Sequence, residues 1–313
     1  MSEAPLPRRP AGMASIRQLH DFDAIIDTRS PAEFALDHVP GAINCPALDD
    51  AQRGEVGTLY KQVSPFVAKR RGAALVALNI GRHLLETFHD KGPDWRPLIY
   101  CWRGGKRSGA FVTVLRQIGW DAHQLEGGYK RYRRDVLDRL AAAPAQLDFR
   151  VLSGPTGSAK SRVLERLAAR GEQVLDLEAL AAHKGSVLGR QPGQPQPPQR
   201  WFESQLHAAL TAFDPARPVF TEAESRRIGL VSLPNELIER MRAAPCLRIE
   251  ASVAARTDYL LRDYDYLTSD AEALIAELER LTDLRGHETI VAWSALARAG
   301  DWRTLVAALL EQH

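Results

Sequence analysis

Short apolar runs and amphipathic segments alternate along the first half of the chain. Each apolar run is rich in Ile, Leu or Val and ends at polar residues or glycine, which is typical of a buried strand. These runs lie in the stretches FDAIIDTRS (22–30), HVPGAINCP (38–46), RPLIYC (96–101) and DAHQLEGGY (121–129). Helical patterns lie between several of them, and strands that alternate with helices predict an α/β unit with a parallel sheet.

The ends of two predicted helices carry recognisable signals. Ser30 can cap the first helix, Pro31 suits its first turn, and Glu33 completes a capping box. The second helix lies in RSGAFVTVLRQIGW (107–120), and Gly119 is expected to end it.

A second α/β unit follows the stretch LAAAPAQLDF (140–149), which we expect to be a linker. It begins with DFRVLSGPTGSAKSRVLERLAARG (148–171), which predicts a strand, a glycine loop and a helix. The stretch GRQPGQPQPPQR (189–200) contains too much Pro and Gly for a helix or a central strand. The last part of the chain, through AEALIAELERL (271–281), is mostly amphipathic helix.

The composition is that of an ordinary globular protein with room for two domains. The chain has 313 residues, of which 45% are hydrophobic and 26% charged, with a net charge of +2. No apolar run approaches the roughly 18 residues that cross a bilayer, so we expect no membrane partner. The first residues lack the apolar segment of a secretory signal, and residues 1–14 are expected to be a flexible tail. Three widely spaced cysteines, without a CxxC pair, favour a reducing cytoplasm and no zinc.

One cysteine stands at an unusual position for a structural residue. In LIYCWRGGKRSGA (98–110), Cys101 follows an apolar strand and precedes two glycines and three cations. A glycine-rich turn can direct backbone N–H groups inward, and Arg103, Lys106 and Arg107 add positive charge. These effects favour the thiolate, so Cys101 is the predicted nucleophile, with Arg103 and Arg107 as its catalytic neighbours.

The glycine loop of the second unit matches a phosphate-binding pattern. GPTGSAKS (154–161) follows an apolar strand and opens a helix, in near agreement with the P-loop motif G-x-x-x-x-G-K-[ST]. The departure is Ala159, which stands where the motif has its second glycine and would be strained at a positive φ. The predicted phosphate-binding residues are Gly154, Thr156, Gly157, Ser158, Lys160 and Ser161.

A P-loop usually has an acidic partner at the end of a neighbouring strand. Two pairs are candidates, Asp176 with Glu178 and Glu222 with Glu224, and either could hold Mg²⁺, a water or an amine. The sequence does not rank these pairs.

A third cluster combines cations with aromatic residues. The stretch GGYKRYRRDVLDR (127–139) suits phosphate contacts with base stacking, and a solvated helix face is an equally good interpretation. The predicted nucleic-acid-binding residues are Tyr129, Lys130, Arg131, Arg133 and Arg134, with Trp102, Tyr132 and Trp201 as further stacking candidates.

The cysteine loop resembles the active-site loop of rhodanese-type sulfurtransferases. DTRSPAEFALDHVPGAIN (27–44) and LEGGY (125–129) resemble the same family and stand in the right order around that loop. The resemblance implies that the cysteine carries a transferable chalcogen as a persulfide. It also implies that Asp27 and Arg29 hold the domain together near the site rather than react.

Motifs along nearly the whole chain resemble the tRNA 2-selenouridine synthase family. They include VGTLYKQVSP (56–65), YCWRGGKRSG (100–109), SGPTGSAKS (153–161) and EAESRRIG (222–229). This resemblance implies a rhodanese-like domain over 15–139, a linker over 140–149, and a P-loop domain with a helical C-terminal region over 150–313.

The same resemblance implies a reaction at the wobble uridine of tRNA. The family replaces the sulfur of 2-thiouridine with selenium from selenophosphate, through an S-geranylated intermediate made from geranyl diphosphate. Cys101 would then carry selenium as S-selanylcysteine. The implied partners are the tRNA anticodon stem-loop and an enzyme that supplies selenophosphate, in the cytoplasm. Mg²⁺ could accompany the phosphates, and no tightly bound cofactor is expected.

Two other classes of protein remain open at this point. One is a P-loop kinase or ATPase regulated by a rhodanese-like module, which predicts ATP turnover that tolerates Cys101→Ala. The other is a non-catalytic interaction protein, for which neither Cys101 nor Lys160 would matter chemically.

Overall fold

The computed structural model describes residues 12–186, 188–191 and 193–312. It contains two compact units. Among the described residues, the first comprises those up to Arg139 together with Glu203–Ala208, and the second comprises those of 140–202 and those from Ala209 onwards. Most of the predicted flexible tail, residues 1–11, lies outside the described residues. Met13 and Ala14 are part of a strand, so they do not belong to a loose tail.

The first unit is built on a five-stranded parallel sheet. Its strands are β1 (Met13–Ala14), β2 (Ala24–Asp27), β3 (Ile43–Asn44), β4 (Pro97–Tyr100) and β5 (His123–Leu125). The strand order is β1-β5-β4-β2-β3, with Ile26 opposite Ile99 and Asp27 opposite Tyr100. This order puts β4, the strand that leads to Cys101, in the middle of the sheet.

Five helices accompany this sheet. They are α1 (Pro31–Leu36), α2 (Asp50–Gln62), α3 (Pro65–Glu86), α4 (Lys106–Ile118) and α5 (Gly128–Ala142), with short 3₁₀ helices at Ile16–Asp21 and Ala143–Gln146. The predicted signals at the ends of α1 and α4 are confirmed: Ser30 and Glu33 form a capping box, and Gly119 is left-handed with φ of +113°. The core between helices and sheet includes Ile26, Ile99, Phe111 and Leu115.

The second unit has a four-stranded parallel sheet in the order β11-β6-β8-β7. Its strands are β6 (Asp148–Ser153), β7 (Gln173–Leu175), β8 (Pro218–Glu222) and β11 (Cys246–Arg248), and a separate antiparallel pair is formed by β9 (Arg227–Ile228) and β10 (Val231–Ser232). Because α5 ends at Ala142 and β6 begins at Asp148, the predicted linker 140–149 is mostly regular structure.

Ten helices complete the described part of the second half. They are α6 (Lys160–Ala169), α7 (Leu177–Ala181), α8 (Gln199–Ala212), α9 (Asn235–Arg242), α10 (Val253–Asp263), α11 (Asp265–Thr268), α12 (Ala271–Glu279), α13 (Thr282–Arg285), α14 (His287–Arg298) and α15 (Trp302–Glu311). The last of these share an apolar core that includes Leu278, Trp293 and Leu305. Both α/β sheets and the helical C-terminal part are therefore confirmed. In the described residues, no helix combines the length and hydropathy needed to span a bilayer.

Candidate functional site

Cys101 lies directly after β4, at the carboxyl edge of the first sheet. Its side chain is buried, with 3% of the residue exposed. Two donors point at its sulfur: the backbone N–H of Gly105, at 3.2 Å from Sγ, and the hydroxyl of Ser108, at 3.1 Å. Gly105 precedes α4 and Ser108 lies in its first turn, so the start of this helix supplies the donors. Ser108 was not singled out by the sequence analysis, although it lies within the quoted loop.

These contacts change the acidity of the thiol. Burial alone opposes the thiolate, but hydrogen bonds from Ser108 and Gly105 and the charge of Arg107 outweigh it and lower the pKa of Cys101. Cys45, buried in the same unit, shows the opposite: burial, followed by the negative charge of Asp27, raises its pKa to about 12. Burial therefore does not distinguish the two cysteines, whereas the donors around Cys101 do.

The cations of the loop are not equivalent. Arg107 is partly buried, and its Nη1 lies 3.1 Å from Oε2 of Glu33 on α1. Arg103 and Lys106 are exposed to solvent. Of the predicted neighbours of Cys101, Arg107 thus contributes a paired charge near the sulfur, and Arg103 is a solvent-exposed charge.

Glycines behind the loop explain the LEGGY motif. Gly104, Gly127 and Gly128 all have positive φ, of +64°, +70° and +56°. A Cβ at Gly128 would lie 2.3 Å from the carbonyl oxygen of Cys101 and 2.4 Å from the backbone nitrogen of Gly104. Only glycine fits this close backbone contact, which fixes the cysteine loop from behind.

A buried polar cluster supports the same edge of the sheet. Arg29 is 1% exposed and binds Asp27 through its Nε and Nη2, the latter at 2.6 Å from Oδ2. The guanidinium lies 3.8 Å from the ring centre of Tyr129, whose hydroxyl donates to Asp37 at 2.7 Å. The structural role implied for Asp27 and Arg29 fits this geometry.

This cluster corrects part of the predicted tRNA surface on α5. Tyr129 and Tyr132 are each only 2% exposed, so their rings are packed and cannot stack on a base. Arg133 is 16% exposed and pairs with Glu203. The remaining predicted cations, Lys130, Arg131 and Arg134, are exposed on the helix. Trp102 is 37% exposed and stays available as a stacking candidate.

The P-loop of the second unit joins β6 to α6 as predicted. The Nζ of Lys160 lies 3.1 Å from the carbonyl oxygen of Gly154, so the lysine reaches back across the loop. Gly157 has φ of +82°, and a Cβ there would lie 3.0 Å from Leu260. Ala159 is left-handed with φ of +61°, which is the strained conformation for a residue with a Cβ.

Acidic side chains from two further strands meet this loop. The Ser161 hydroxyl donates to Oε2 of Glu178 at 3.0 Å, and the backbone N–H of Glu178 donates to Oε1 of Glu222 at 2.8 Å. Asp176 instead caps α7 by accepting from the N–H of Ala179. Both predicted pairs therefore lie at the loop, because β7 and β8 end at the same edge as β6.

Two of these carboxyls have strongly perturbed acidity. Burial, followed by the charge of Asp176, raises the pKa of Glu222 to about 8. Burial, followed by the charge of Glu178, raises the pKa of Glu224 to about 7. Near neutral pH the pocket therefore carries less negative charge than its composition suggests, which favours a bound anion.

A polar pocket of about 510 Å³ lies over the P-loop. Besides the predicted residues it is lined by Lys184, whose Nζ lies 2.8 Å from Asp263 and 4.2 Å from the ring centre of Tyr264. Lys184 and Asp263 were missed by the sequence analysis because they come from segments far from the loop in sequence. Among the described residues, no group of three or more His, Cys, Asp or Glu side chains is arranged to hold a metal ion.

The first unit has a parallel sheet with a cysteine at its edge whose thiolate is stabilised, and the second is an α/β unit with a P-loop. This combination defines a class of protein. It is a rhodanese-like domain fused to a P-loop domain. The rhodanese-like domain family matches residues 14–135, and the tRNA 2-selenouridine synthase AAA domain matches residues 147–288. The chain belongs to the tRNA 2-selenouridine synthase family.

Three relatives named tRNA 2-selenouridine synthase support this assignment. The relative from Cupriavidus pinatubonensis is 37% identical over 302 residues, which are 92% of this chain and 79% of the relative. The one from Shewanella halifaxensis is 34% identical, covering 88% and 74%. The one from Nitrosomonas europaea is 35% identical and covers 80% of this chain. The chain spans 65% of the length of that relative.

Proposed function

We propose that this chain converts the wobble 2-thiouridine of tRNA to 2-selenouridine, with selenophosphate as selenium donor and geranyl diphosphate as alkyl donor. One observation carries the proposal. This chain, a member of the family, has both an activated cysteine and a separate phosphate cradle. A selenium carrier and an alkyl diphosphate site are the two chemical needs of this reaction.

The role proposed for Cys101 is to hold selenium as S-selanylcysteine before its transfer. The thiolate attacks the selenium of selenophosphate, an S–Se bond forms, and the Se–P bond breaks with its electron pair on phosphorus, which leaves as phosphite. The donors at Gly105 and Ser108 stabilise negative charge on Sγ, and the same donors can stabilise a charged selenium bound to that sulfur. Arg107 supplies positive charge, and the exposed Arg103 can attract the selenophosphate anion.

The role proposed for the P-loop is to bind the diphosphate of the geranyl donor. The sulfur of 2-thiouridine would attack C1 of the geranyl group, the C–O bond would break, and diphosphate would leave with the electron pair. The terminal selenium on Cys101 then attacks C2, the C2–S bond breaks, and geranylthiolate leaves with the electron pair. A small thiol then attacks the sulfur of Cys101, which breaks the S–Se bond, forms a mixed disulfide and releases 2-selenouridine. Lys160 and the loop N–H groups stabilise the leaving diphosphate without any need for ATP hydrolysis.

Ser161 and Glu178 offer the oxygen ligands that Mg²⁺ prefers. When bound there, Mg²⁺ would neutralise charge on the diphosphate. The proposed contact with tRNA is made by the exposed cations of α5, Lys130, Arg131 and Arg134.

Mass spectrometry of tRNA nucleosides tests this function. Cells that lack the gene should lose 2-selenouridine and geranylthiouridine, and the intact gene should restore both. Cys101→Ser should restore geranylthiouridine but not 2-selenouridine, since its phosphate cradle is intact. Unchanged nucleosides in the deletion strain would reject the proposal. ATP turnover by purified protein, retained in Cys101→Ala, would favour the kinase or ATPase alternative.

A further inference from the structure

An apolar cavity of about 130 Å³ lies among the C-terminal helices of the second unit. Its walls include Leu260 and Leu261 of α10, Trp293 of α14, and Val306 and Leu309 of α15. Protein interiors normally leave few voids larger than a water molecule. This cavity is large on that scale, because a single water needs roughly 10–15 Å³ by the same measure.

The cavity adjoins the polar pocket over the P-loop. Four residues line both spaces: Thr156 of the loop itself, Ser186, Leu260 and Tyr264. Leu260 also packs against the loop, since a Cβ at Gly157 would lie 3.0 Å from its side chain. The phosphate cradle and the apolar cavity therefore share a rim, with charged groups on one side and leucines on the other.

Such a pair of spaces suits a ligand with an anionic head and an apolar tail. A nucleotide fits poorly, because the nitrogen atoms of its base would be buried among leucines without hydrogen-bond partners. A hydrocarbon chain needs no partners and gains free energy with every buried carbon.

We propose that this cavity is the binding site for the isoprenoid chain of the diphosphate donor. This inference rests on the proposed function for the head group, which binds at Lys160 and Ser161. The rim shared at Thr156 and Leu260 lets a chain attached to that head group enter the cavity.

A chain-length series on the full protein tests the site. Isothermal titration calorimetry would compare inorganic diphosphate with dimethylallyl, geranyl and farnesyl diphosphates, without tRNA or selenium present. One buried CH₂ is worth about fourfold in affinity when fully transferred from water. We therefore expect geranyl diphosphate to bind at least about tenfold more tightly than inorganic diphosphate, because the cavity buries carbons that the bare head group lacks. Equal affinity for all four ligands would reject the proposal.

A matched pair of substitutions locates the site. Val306→Trp fills the cavity, whereas Val291→Trp makes the same change on the neighbouring helix α14 at a side chain that is 53% exposed. We expect Val306→Trp to weaken geranyl diphosphate at least about tenfold and diphosphate by less than about twofold, and Val291→Trp to change neither. Lys160→Ala should weaken all four ligands. Identical behaviour of the two tryptophan variants would overturn the assignment.

The outcomes separate this inference from the proposed function. A flat length series in a protein that still modifies tRNA would reject the cavity and leave the function standing. A clear gain in affinity from the isoprenoid chain in a protein that leaves tRNA unchanged would keep the cavity and reject the function. If circular dichroism shows that Val306→Trp does not fold, the length series on the unsubstituted chain decides alone.

Discussion

Cys101 and Cys45 are both buried in the first unit, and their surroundings push their acidities apart. The sulfur of Cys101 accepts from Gly105 and Ser108, whereas the pKa of Cys45 is raised by burial and by the charge of Asp27. The glycine-rich cationic loop made Cys101 the predicted nucleophile, and the pKa of this cysteine is lowered. The decisive hydroxyl, Ser108, could not be recognised from sequence alone because a helix must first turn it toward the sulfur.

The acidity of Cys101 should depend on that hydroxyl. A lowered pKa means that the thiolate predominates at a lower pH than for an ordinary cysteine, and loss of a donor raises the pKa again. In a Cys246→Ser background, the rate of iodoacetamide alkylation should rise through a midpoint set by Cys101. Ser108→Ala should move that midpoint upward by about one to two pH units, since a hydrogen bond to a charged group is worth about 1.5–3 kcal/mol.

Cys45 provides the internal control for this measurement. Its pKa of about 12 predicts no alkylation in the folded protein below pH 9. An unchanged midpoint in Ser108→Ala would mean that the hydroxyl does not stabilise the thiolate.

Ala159 conflicts with the local backbone, which has the left-handed conformation that the glycine of the P-loop motif adopts without strain. Its φ of +61° is unfavourable for any residue with a Cβ. We expect Ala159→Gly to stabilise the second unit by about 1 kcal/mol and to raise its melting temperature by a few degrees.

The matched control for this change is Ala292→Gly, an exposed position inside α14. There the same substitution should destabilise by about 1 kcal/mol, because glycine is unfavourable within a helix. Differential scanning fluorimetry of both variants checks the opposite signs. Destabilisation by both changes would show that Ala159 is not strained.

At the scale of elements, local signals predicted the short helices better than the long ones. The capping box of α1 and the terminal glycine of α4 involve neighbours in sequence, so they could be predicted directly. The 22-residue helix α3 was not predicted, because its buried face includes Ala68, Gly72, Asn79 and His83, which do not form an apolar stripe.

The sequence of helix α5 contains a pattern of apolar and aromatic residues that identifies its buried face. Tyr129, Tyr132, Val136 and Leu140 are all buried, and their spacing of three and four residues is that of one helix face. This spacing assigns the two tyrosines to the core. The cations between them, including Arg131 and Arg134, are thereby left on the exposed side.

The exposed side of α5 should bind tRNA phosphates. Arg131→Ala with Arg134→Ala should weaken all tRNA substrates alike, because phosphate contacts do not depend on base identity. The slope of log K against log salt should flatten by roughly one for each phosphate that the variant no longer neutralises. Titration of labelled tRNA at several salt concentrations measures both effects.

The control for α5 removes two arginines elsewhere. Arg71 and Arg280 are exposed and pair with Glu55 and Glu277, so Arg71→Ala with Arg280→Ala makes the same change in net charge. An equal loss of slope in both double variants would mean that bulk charge, and not α5, governs binding.

For the molecule as a whole, the fold class could be predicted from the sequence. Which residues come together in each site could not be predicted. Alternating patterns predicted two α/β units, but strand order is a property of the folded sheet. The order β11-β6-β8-β7 brings the carboxyl ends of β7 and β8 to the P-loop, which is why all four predicted carboxylates lie there. Nothing in the sequence distinguished the cap, Asp176, from the partner of Ser161, Glu178.

The two units should perform separable halves of the reaction. Lys160→Ala should fail to geranylate 2-thiouridine tRNA, and therefore fail to selenate it, because the diphosphate loses its point charge. The same variant should selenate tRNA supplied in the geranylated form, whereas Cys101→Ser should not. Liquid chromatography and mass spectrometry of the nucleosides would follow both steps. If geranylated tRNA is no better a substrate for Lys160→Ala than 2-thiouridine tRNA, the division of labour is wrong.

The backbone contact between Gly128 and the cysteine loop has a genetic consequence. A side chain at Gly128 would have to displace the carbonyl of Cys101, so the reactive sulfur depends on a residue that has no functional group. A genetic selection for inactive alleles should therefore yield substitutions at Gly128 as well as at Cys101. Even alanine, which has the smallest side chain, should inactivate the protein at Gly128. Alleles at Leu137, an exposed residue later in the same helix, should be rare in the same selection.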